Sequence, residues 1–424
     1  MNMKIRSMHL ENYRCFKDFD IDFDDFLTVI VGVNGAGKTA TLDALSVFLK
    51  WAVYLTKGHR PKSKMSITDV SIGCKPEDIV HSITVQQKSG SGGEFVQTRG
   101  VLEGADDGVL MFNMADVLPI AQMLESAKPV CASYMAGRFV LENDFALTQN
   151  AYCPPDNRAI ENSFARTIDY VSTISWFNDT DADEARAMRD SGRKDELPEL
   201  KAVREALSKA LLGQYEKPRM HGNPPELIIY RKGTNQAYKV SQLSDGYRAM
   251  LALVMDLARR MAQSRRDGKD SRESLLSTPA VVLIDEVELH LHPSWQQTVL
   301  TSLMGIFPNT QFIVTTHSPQ VLSSIPHKHI RILSDGKAYT LNEQTQGVEA
   351  SKLLKRVFGV ESRPQGLDIV QELKEYSRLV YDEKWDAPEA VRLRKKLDEH
   401  YGNDENELMG LDLHIENCKW ESGL

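Results

Sequence analysis

Gly32-Val33-Asn34-Gly35-Ala36-Gly37-Lys38-Thr39 is the stretch whose residue types and spacing can do chemistry. Glycines let bare main chain wrap a bulky anion, and N–H groups without partners at a helix start, helped by the helix dipole, donate to it. Asn34, Gly35, Ala36 and Gly37 supply that cradle, Lys38 is spaced to reach β- and γ-phosphates, and Thr39 to hold Mg²⁺. Two later stretches add the groups that hydrolysis needs. The apolar run Pro279 to Ile284 ends in Asp285 and Glu286, the first suited to Mg²⁺, directly or through water, and the second to orienting and polarising the attacking water. Gln311 to Thr316 ends in His317-Ser318-Pro319, which brings an imidazole to the same edge as a γ-phosphate sensor.

These groups meet only if particular elements carry them. Leu27-Thr28-Val29-Ile30-Val31 reads as a buried strand, and Leu42, Leu45, Phe48 and Leu49 recur at helical spacing, so the glycine loop lies between strand and helix. In a doubly wound sheet, ligands sit beyond the carboxyl ends of the strands, which is where both acids and the histidine arrive. Leu243-Ser244-Asp245-Gly246-Tyr247-Arg248 opens a helix through Met250, Leu251, Leu253, Val254 and Leu257, with Ser244 placed as its cap, and makes a second anion site. Alternate histidines in Glu288-Leu289-His290-Leu291-His292-Pro293 suggest zinc, but three well-placed ligands do not emerge. The position directly after Asp285-Glu286 suits a loop of a nucleotide-bridged dimer. Asp69, Gln86 and Gln87 are equal candidates for a polar contact to Mg²⁺ or water.

The 424 residues, 42% of them hydrophobic, can bury a large core divided into lobes. No apolar run approaches the roughly 20 residues that span a bilayer, the N-terminus lacks a secretory apolar region, and five scattered cysteines suit reduced thiols; a cytosolic protein is expected, without membrane. A net charge of −8 argues against a broad nucleic-acid-binding face. Asp18 to Asp24 alternates acids with Phe19, Ile21 and Phe23 as a half-exposed strand. Further strands are expected around Ser66 to Gly73, Ile79 to Gln87 and Lys128 to Tyr134. Asn162 to Leu212 turns helical, broken at Asp195-Glu196-Leu197-Pro198, without sustained heptads. Arg259, Arg260, Arg265, Arg266, Lys269 and Arg272 read as a basic surface loop, and Asn403 to Glu421 as an acidic tail after two amphipathic helices.

In this order the motifs resemble the Walker A, signature, Walker B, D-loop and switch-histidine series of ABC-type ATPases of the RecF/SMC/OLD group, and Leu10 to Phe16 is similar to the strand that opens such heads. Asp245 departs from the usual Ser-Gly-Gly signature. Pro129 to Arg138, Ser175-Trp176-Phe177, Leu243 to Leu257, Glu288 to Pro293 and Ser351 to Gly359 extend the resemblance to the bacterial ATPases that include the PtuA subunit of Septu and retron anti-phage systems.

The resemblance implies an α/β fold: an ABC-ATPase head, a P-loop NTPase, with a mixed β-sheet core, a short helical insertion and C-terminal helices. The expected domains are an N-terminal lobe (1–155), the insertion (156–215), a C-terminal lobe (216–345) and a helical region (346–424) that either docks a partner or caps the second lobe. It implies ATP and Mg²⁺ as ligands and adds Arg14 and Thr41 to the nucleotide contacts. A homodimer or higher homo-oligomer is expected, in which Ser244, Asp245 and Gly246 of one protomer meet the other's ATP. No nuclease constellation is evident in this chain. The implied partners are therefore an HNH nuclease subunit and, in a retron, a reverse transcriptase with nucleic acid. Two other functions fit the same motifs: a RecF-like DNA-repair ATPase, and an ATP-binding scaffold with little turnover.

Overall fold

The computed structural model describes residues 2–57, 65–66, 69–75, 78–89, 92–104, 109–112, 114–136, 159–160, 163–165, 168, 170–191, 195–211, 213–222, 226–265, 274–402 and 405–421. Two compact units are distinguished, Met1–Leu353 and Leu354–Leu424.

The first unit begins with β1 (Asn2–Tyr13), β2 (Phe16–Asp22), β3 (Leu27–Gly32), α1 (Lys38–Leu55), β4 (Met65–Ser66), β5 (Val80–Ser89), β6 (Gly92–Gly104), β7 (Val109–Phe112), α2 (Met114–Ala127) and β8 (Val130–Tyr134). It continues with α3 (Tyr170–Ser191), α4 (Pro198–Ala210), β9 (Tyr215–His221), β10 (Glu226–Arg231), β11 (Ala237–Lys239) and α5 (Asp245–Ser264). After these come β12 (Ala280–Ile284), α6 (Pro293–Gln296), α7 (Val299–Ile306), β13 (Thr310–Thr315), α8 (Pro319–Leu322), β14 (Ile330–Ser334) and β15 (Lys337–Thr340).

The central sheet has the order β15-β14-β3-β13-β12-β8. All its pairs are parallel except β14 with β15. Every residue of β3, β8, β12 and β13 is buried, as strands covered on both faces require. The fold is thus the expected α/β P-loop head with a mixed sheet core. One consequence of the order is that β13 lies between the strand before the glycine loop and the strand before the acids.

A second sheet, β2-β1-β5-β6-β7-β4, is an antiparallel layer. Its β2 buries Phe16, Phe19 and Ile21 and exposes Lys17, Asp18, Asp20 and Asp22, the alternation read from the sequence. The buried side chains of β1, β2, α1 and α2 share one core with Val281, Leu283 and Ile313 of the central sheet. A strand from Ser66 to Gly73 does not form among the described residues there. Met65–Ser66 pairs with β7, Val70 makes an isolated bridge to Tyr13, and a turn follows.

The helical segment divides as expected, with Pro198 opening α4. Arg204 on α4 ties the two arms by ion pairs to Asp181 at 2.5 Å and Glu184 at 2.8 Å. Phe177 is in the core. The basic stretch after α5 requires a correction. Helix α5 runs to Ser264, and Arg259 and Arg260 are 5% and 1% exposed, because both guanidiniums turn onto Asp256 one turn earlier. Residues 266–273 lie outside the described residues.

Helix α9 (Ala350–Phe358) spans the division between units. The second unit contains α10 (Asp368–Tyr381), α11 (Pro388–Tyr401) and α12 (Asn406–Glu421) around Leu373, Tyr376, Val380, Leu393, Leu397, Leu408 and Leu411. The expected acidic tail is therefore a helix: Leu408 and Leu411, one turn apart, bury one side of it and outweigh its charge.

Candidate functional site

The glycine loop emerges from β3 and delivers its last residues into α1 without any side-chain cap, so the first-turn donors of the helix remain for a ligand. Gly37 has φ +98°, and a Cβ there would run into the Phe16 ring and the Cys15 sulfur; only glycine lets the β1–β2 turn close on the loop. Asn34, Gly35 and Thr39 are exposed and Ala36 is half-buried. Lys38 Nζ donates to the Gly32 and Val33 carbonyls at 3.0 and 2.9 Å. Burial pushes its pKa down, opposed by the charges of Asp285, Glu286 and Glu288. Thr41 is buried and its hydroxyl donates to Gly37 O at 3.0 Å, which leaves it closing the first helical turn.

The acids arrive at the carboxyl end of β12. Thr39 Oγ1 donates to Asp285 Oδ2 at 3.0 Å, while Asp285 Oδ1 accepts from Thr315 Oγ1 at 2.6 Å. Two ligands on neighbouring vertices of an octahedron with bonds near 2.1 Å stand about 3 Å apart. The Thr39 hydroxyl and the Asp285 carboxylate therefore fit Mg²⁺ in spacing and in their hard oxygen chemistry. Glu286 has φ +48°, a conformation rare outside glycine, held because its N–H donates to Thr315 Oγ1 at 2.8 Å and the next N–H to Thr315 O at 3.0 Å. His317 N donates to Glu288 Oε1 at 2.6 Å. Glu288 thereby joins the edge, although the sequence reading gave it only a place in the loop; its signal was an acid two positions beyond Asp285-Glu286.

Arg14 sits in the β1–β2 turn, where Nε donates to Asp69 at 2.8 Å and Nη1 to Asp43 at 2.7 Å, so its guanidinium is engaged by carboxylates beside the loop. Of the three polar candidates, Asp69 alone is at this end. Gln86 and Gln87 pair in register with Lys4 and Met3, at the far end of β1 from Tyr13, and bond Arg6 and Ser126. Gly137 and Arg138, which follow β8, lie outside the described residues.

The stretch expected to make a second anion site is the start of α5. Ser244 is exposed and makes no side-chain cap bond. Asp245 is exposed and pairs with Arg248, whose hydrogen bond holds its carboxyl below the usual range. Gly246 is buried against the loop after β12: an added Cβ would lie 2.5 Å from His290 O. Tyr247 packs on Trp295 at 4.3 Å between ring centroids. His292 Nδ1 lies 2.9 Å from Ser294 Oγ at the start of α6. Gln296 accepts from Ser318 Oγ at 2.7 Å and donates to Leu291 O at 2.9 Å, a second tether between this loop and the histidine loop.

Behind the site Asp256 is enclosed. Its Oδ1 accepts from Thr173 and Arg259 at 3.2 and 2.7 Å, and its Oδ2 from Tyr134 and Arg260 at 2.9 and 2.7 Å. Burial raises its pKa, but the two guanidiniums outweigh that and hold the carboxyl well below its ordinary range. Tyr134 O in turn accepts from Asp285 N at 2.8 Å, so the cluster adjoins the acid edge.

Residues 3–95 match the AAA ATPase domain family, and residues 155–323 match a further AAA domain family. Among curated proteins, the chain is 26% identical to "Retron Ec83 probable ATPase" of Escherichia coli, over 99% of this chain and 88% of that protein. It is 25% identical to "Retron Vc95 probable ATPase" of Vibrio cholerae, over 94% and 88%. With Septu protein PtuA of Bacillus mycoides the identity is 24%, over 84% of this chain and 43% of that protein. A solved Smc head bound to the C-winged helix domain of ScpA is similar over 80% of this chain and 97% of that one, with a TM-score of 0.44 and 16% identity. A phosphate loop whose hydroxyl meets a strand-end aspartate, a glutamate beside it and a histidine two residues past the intervening strand, in a chain with these relatives, mark an ATPase that resembles the ABC-type ATPases of the RecF/SMC/OLD group and is related to the retron and Septu ATPases.

Proposed function

We propose that the chain is the ATPase subunit of a cytoplasmic anti-phage defence complex, which closes as a homodimer, or within a higher homo-oligomer, around two Mg·ATP and thereby regulates a separate HNH-type nuclease. In a retron setting a reverse transcriptase and its DNA belong to the same assembly. The observation that carries the ATP chemistry is the 3.0 Å contact between Thr39 and Asp285 beside a lysine seated in the loop. Thr39 and Asp285 would hold Mg²⁺, which would supply charge neutralisation at the phosphates, and Lys38 would leave the loop carbonyls for the β- and γ-phosphates. Glu286 orients the water that adds to the γ-phosphorus as the bond to ADP breaks, and His317 senses the γ-phosphate. Arg14 is a further nucleotide contact only if it releases Asp43 or Asp69.

Dimer closure rests on the start of α5. Ser244 and Asp245 are exposed and the helix start has no side-chain cap, which suits it to a γ-phosphate presented by the other protomer. In this reading residues 1–155 and 216–345 are the two lobes, 156–215 the insertion and 346–424 the region that docks the nuclease. The relatives' retron and Septu names support the defence setting. Light scattering tests the clamp: Glu286→Gln accumulates an ATP-bound dimer and Lys38→Ala forms none, and equal responses to ATP refute it. Native mass spectrometry of the purified complex tests the partners, with a co-purifying HNH nuclease expected and its absence contrary.

A further inference from the structure

The charges of three carboxylates, Asp285, Glu286 and Glu288, act on Lys38, and the sequence reading used only two of them. Asp285 is spoken for by Thr39 and Thr315. Glu286 lies at the end of the strand in a left-handed conformation. Glu288 is different: one oxygen accepts the main-chain N–H of His317 at 2.6 Å, and the other is buried with no hydrogen-bond partner among the described residues. A buried carboxylate oxygen left unpaired costs free energy, and such a residue persists where its geometry serves something else. What its paired oxygen does is fix the point where the chain leaves β13. The following residue is held as well, since Ser318 N–H donates to Thr316 Oγ1 at 3.0 Å and Ser318 Oγ to Gln296 at 2.7 Å. Neither of those bonds reaches His317 itself. Among the described residues, the bond to Glu288 is the direct restraint on the histidine's own main chain.

We propose that Glu288 is a positioning residue for hydrolysis, which sets the place of His317 through the bond from His317 N to Glu288 Oε1. The role deepens the reading of Glu286 and His317 given above and rests on it. A positioned group moved by about 1 Å can lose on the order of 100-fold in rate, so the restraint is large enough to matter to turnover. Because the restraint is one accepted hydrogen bond, an amide oxygen can replace the carboxylate oxygen. A methyl group cannot.

The experiment is steady-state ATP turnover of the full chain, with Glu288→Ala, Glu288→Gln, His317→Ala and the double variant Glu288→Ala/His317→Ala. Glu288→Ala is expected to lower kcat by about 10- to 100-fold with KM for ATP nearly unchanged. Glu288→Gln recovers most of that loss. The double variant is no slower than His317→Ala alone, as expected of two residues acting as one. The proposal is overturned if Glu288→Gln is as slow as Glu288→Ala, if the two losses multiply, or if KM rises while kcat stays. Thermal melting identifies a variant that has lost its fold, and Glu288→Gln, with its unchanged shape, carries the test if the alanine form unfolds. Glu286→Gln is the control on the underlying reading: normal turnover in that variant refutes the assignment of the site, whereas slow turnover there with an unaffected Glu288→Ala refutes the positioning role alone.

Discussion

Asp256 and Glu288 are both acids drawn out of water in the first unit, and the two neighbourhoods meet at Tyr134, whose hydroxyl bonds Asp256 and whose carbonyl holds the main chain of Asp285. Asp256 has two donors on each oxygen, two of them from guanidiniums that are themselves buried. Glu288 has one donor on one oxygen and shares a single lysine with two other carboxylates. Asp256 is fully buried and Glu288 half-buried, and one cluster is closed and the other open. A closed cluster contributes to the fold, since each desolvated charge finds its partners within the protein. An open one leaves capacity for a ligand that brings its own charge, and Mg·ATP is such a ligand. The difference separates framework from chemistry more sharply than charge or burial does.

That contrast can be broken in three ways. The largest effect is expected from Asp256→Ala, which strands two buried guanidiniums and should lower unfolding stability by about 3–5 kcal/mol. Denaturant titration measures it, and KM for ATP per folded molecule should hold; a large change in KM at unchanged stability would place Asp256 in the chemistry. Next comes Gly246→Ala, in which the new methyl meets His290 O and the overpacking costs about 1–3 kcal/mol unless the loop moves. We expect slower ATP turnover with it, and normal turnover at reduced stability would show that the loop's place is unimportant.

Near neutral pH His81 supplies the smallest effect, and that effect grows as the pH falls. The ring is fully buried, edge-on to Phe48, and burial pushes its pKa down to about 3 from 6.5. The unfolded chain therefore takes up a proton between these values that the folded one refuses. Stability present above pH 6.5 is lost toward pH 3, by up to about 1.4 kcal/mol per pH unit. Unfolding measured from pH 7 to pH 5 should show this slope, and His81→Leu should remove that share of it. An unchanged slope in the variant would mean that His81 protonates in the folded state.

The site was legible where chemistry dictates spacing. A phosphate loop needs its glycines, lysine and hydroxyl in one order, and an apolar strand ending in two acids shows where Asp285 must arrive. Alternation made β2 readable, since each Asp there faces water and each Phe or Ile the core. Reading failed where a charge is neutralised by a neighbour along a helix. Arg259 and Arg260 read as surface because they are basic, yet Asp256 stands three and four residues before them, the spacing of a helical ion pair. In α12 the acids masked Leu408 and Leu411. The pairings of Arg14 with Asp43 and Asp69, and of Glu288 with the main chain of His317, could not be read, because these groups come together only through folding.

The placement of β13 has a consequence for how such an enzyme is timed. The strand is bonded along both margins, with Val314 beside Val29 on one side and Ile284 on the other. A slip of one residue would turn every side chain to the wrong face. The strand therefore cannot act as a piston, and any travel of the imidazole is confined to the few residues after Thr315. If His317 acts in turnover as proposed, the rate should be retunable there, by altering the tethers of Thr316 to Ser318, without disturbing the frame that carries them.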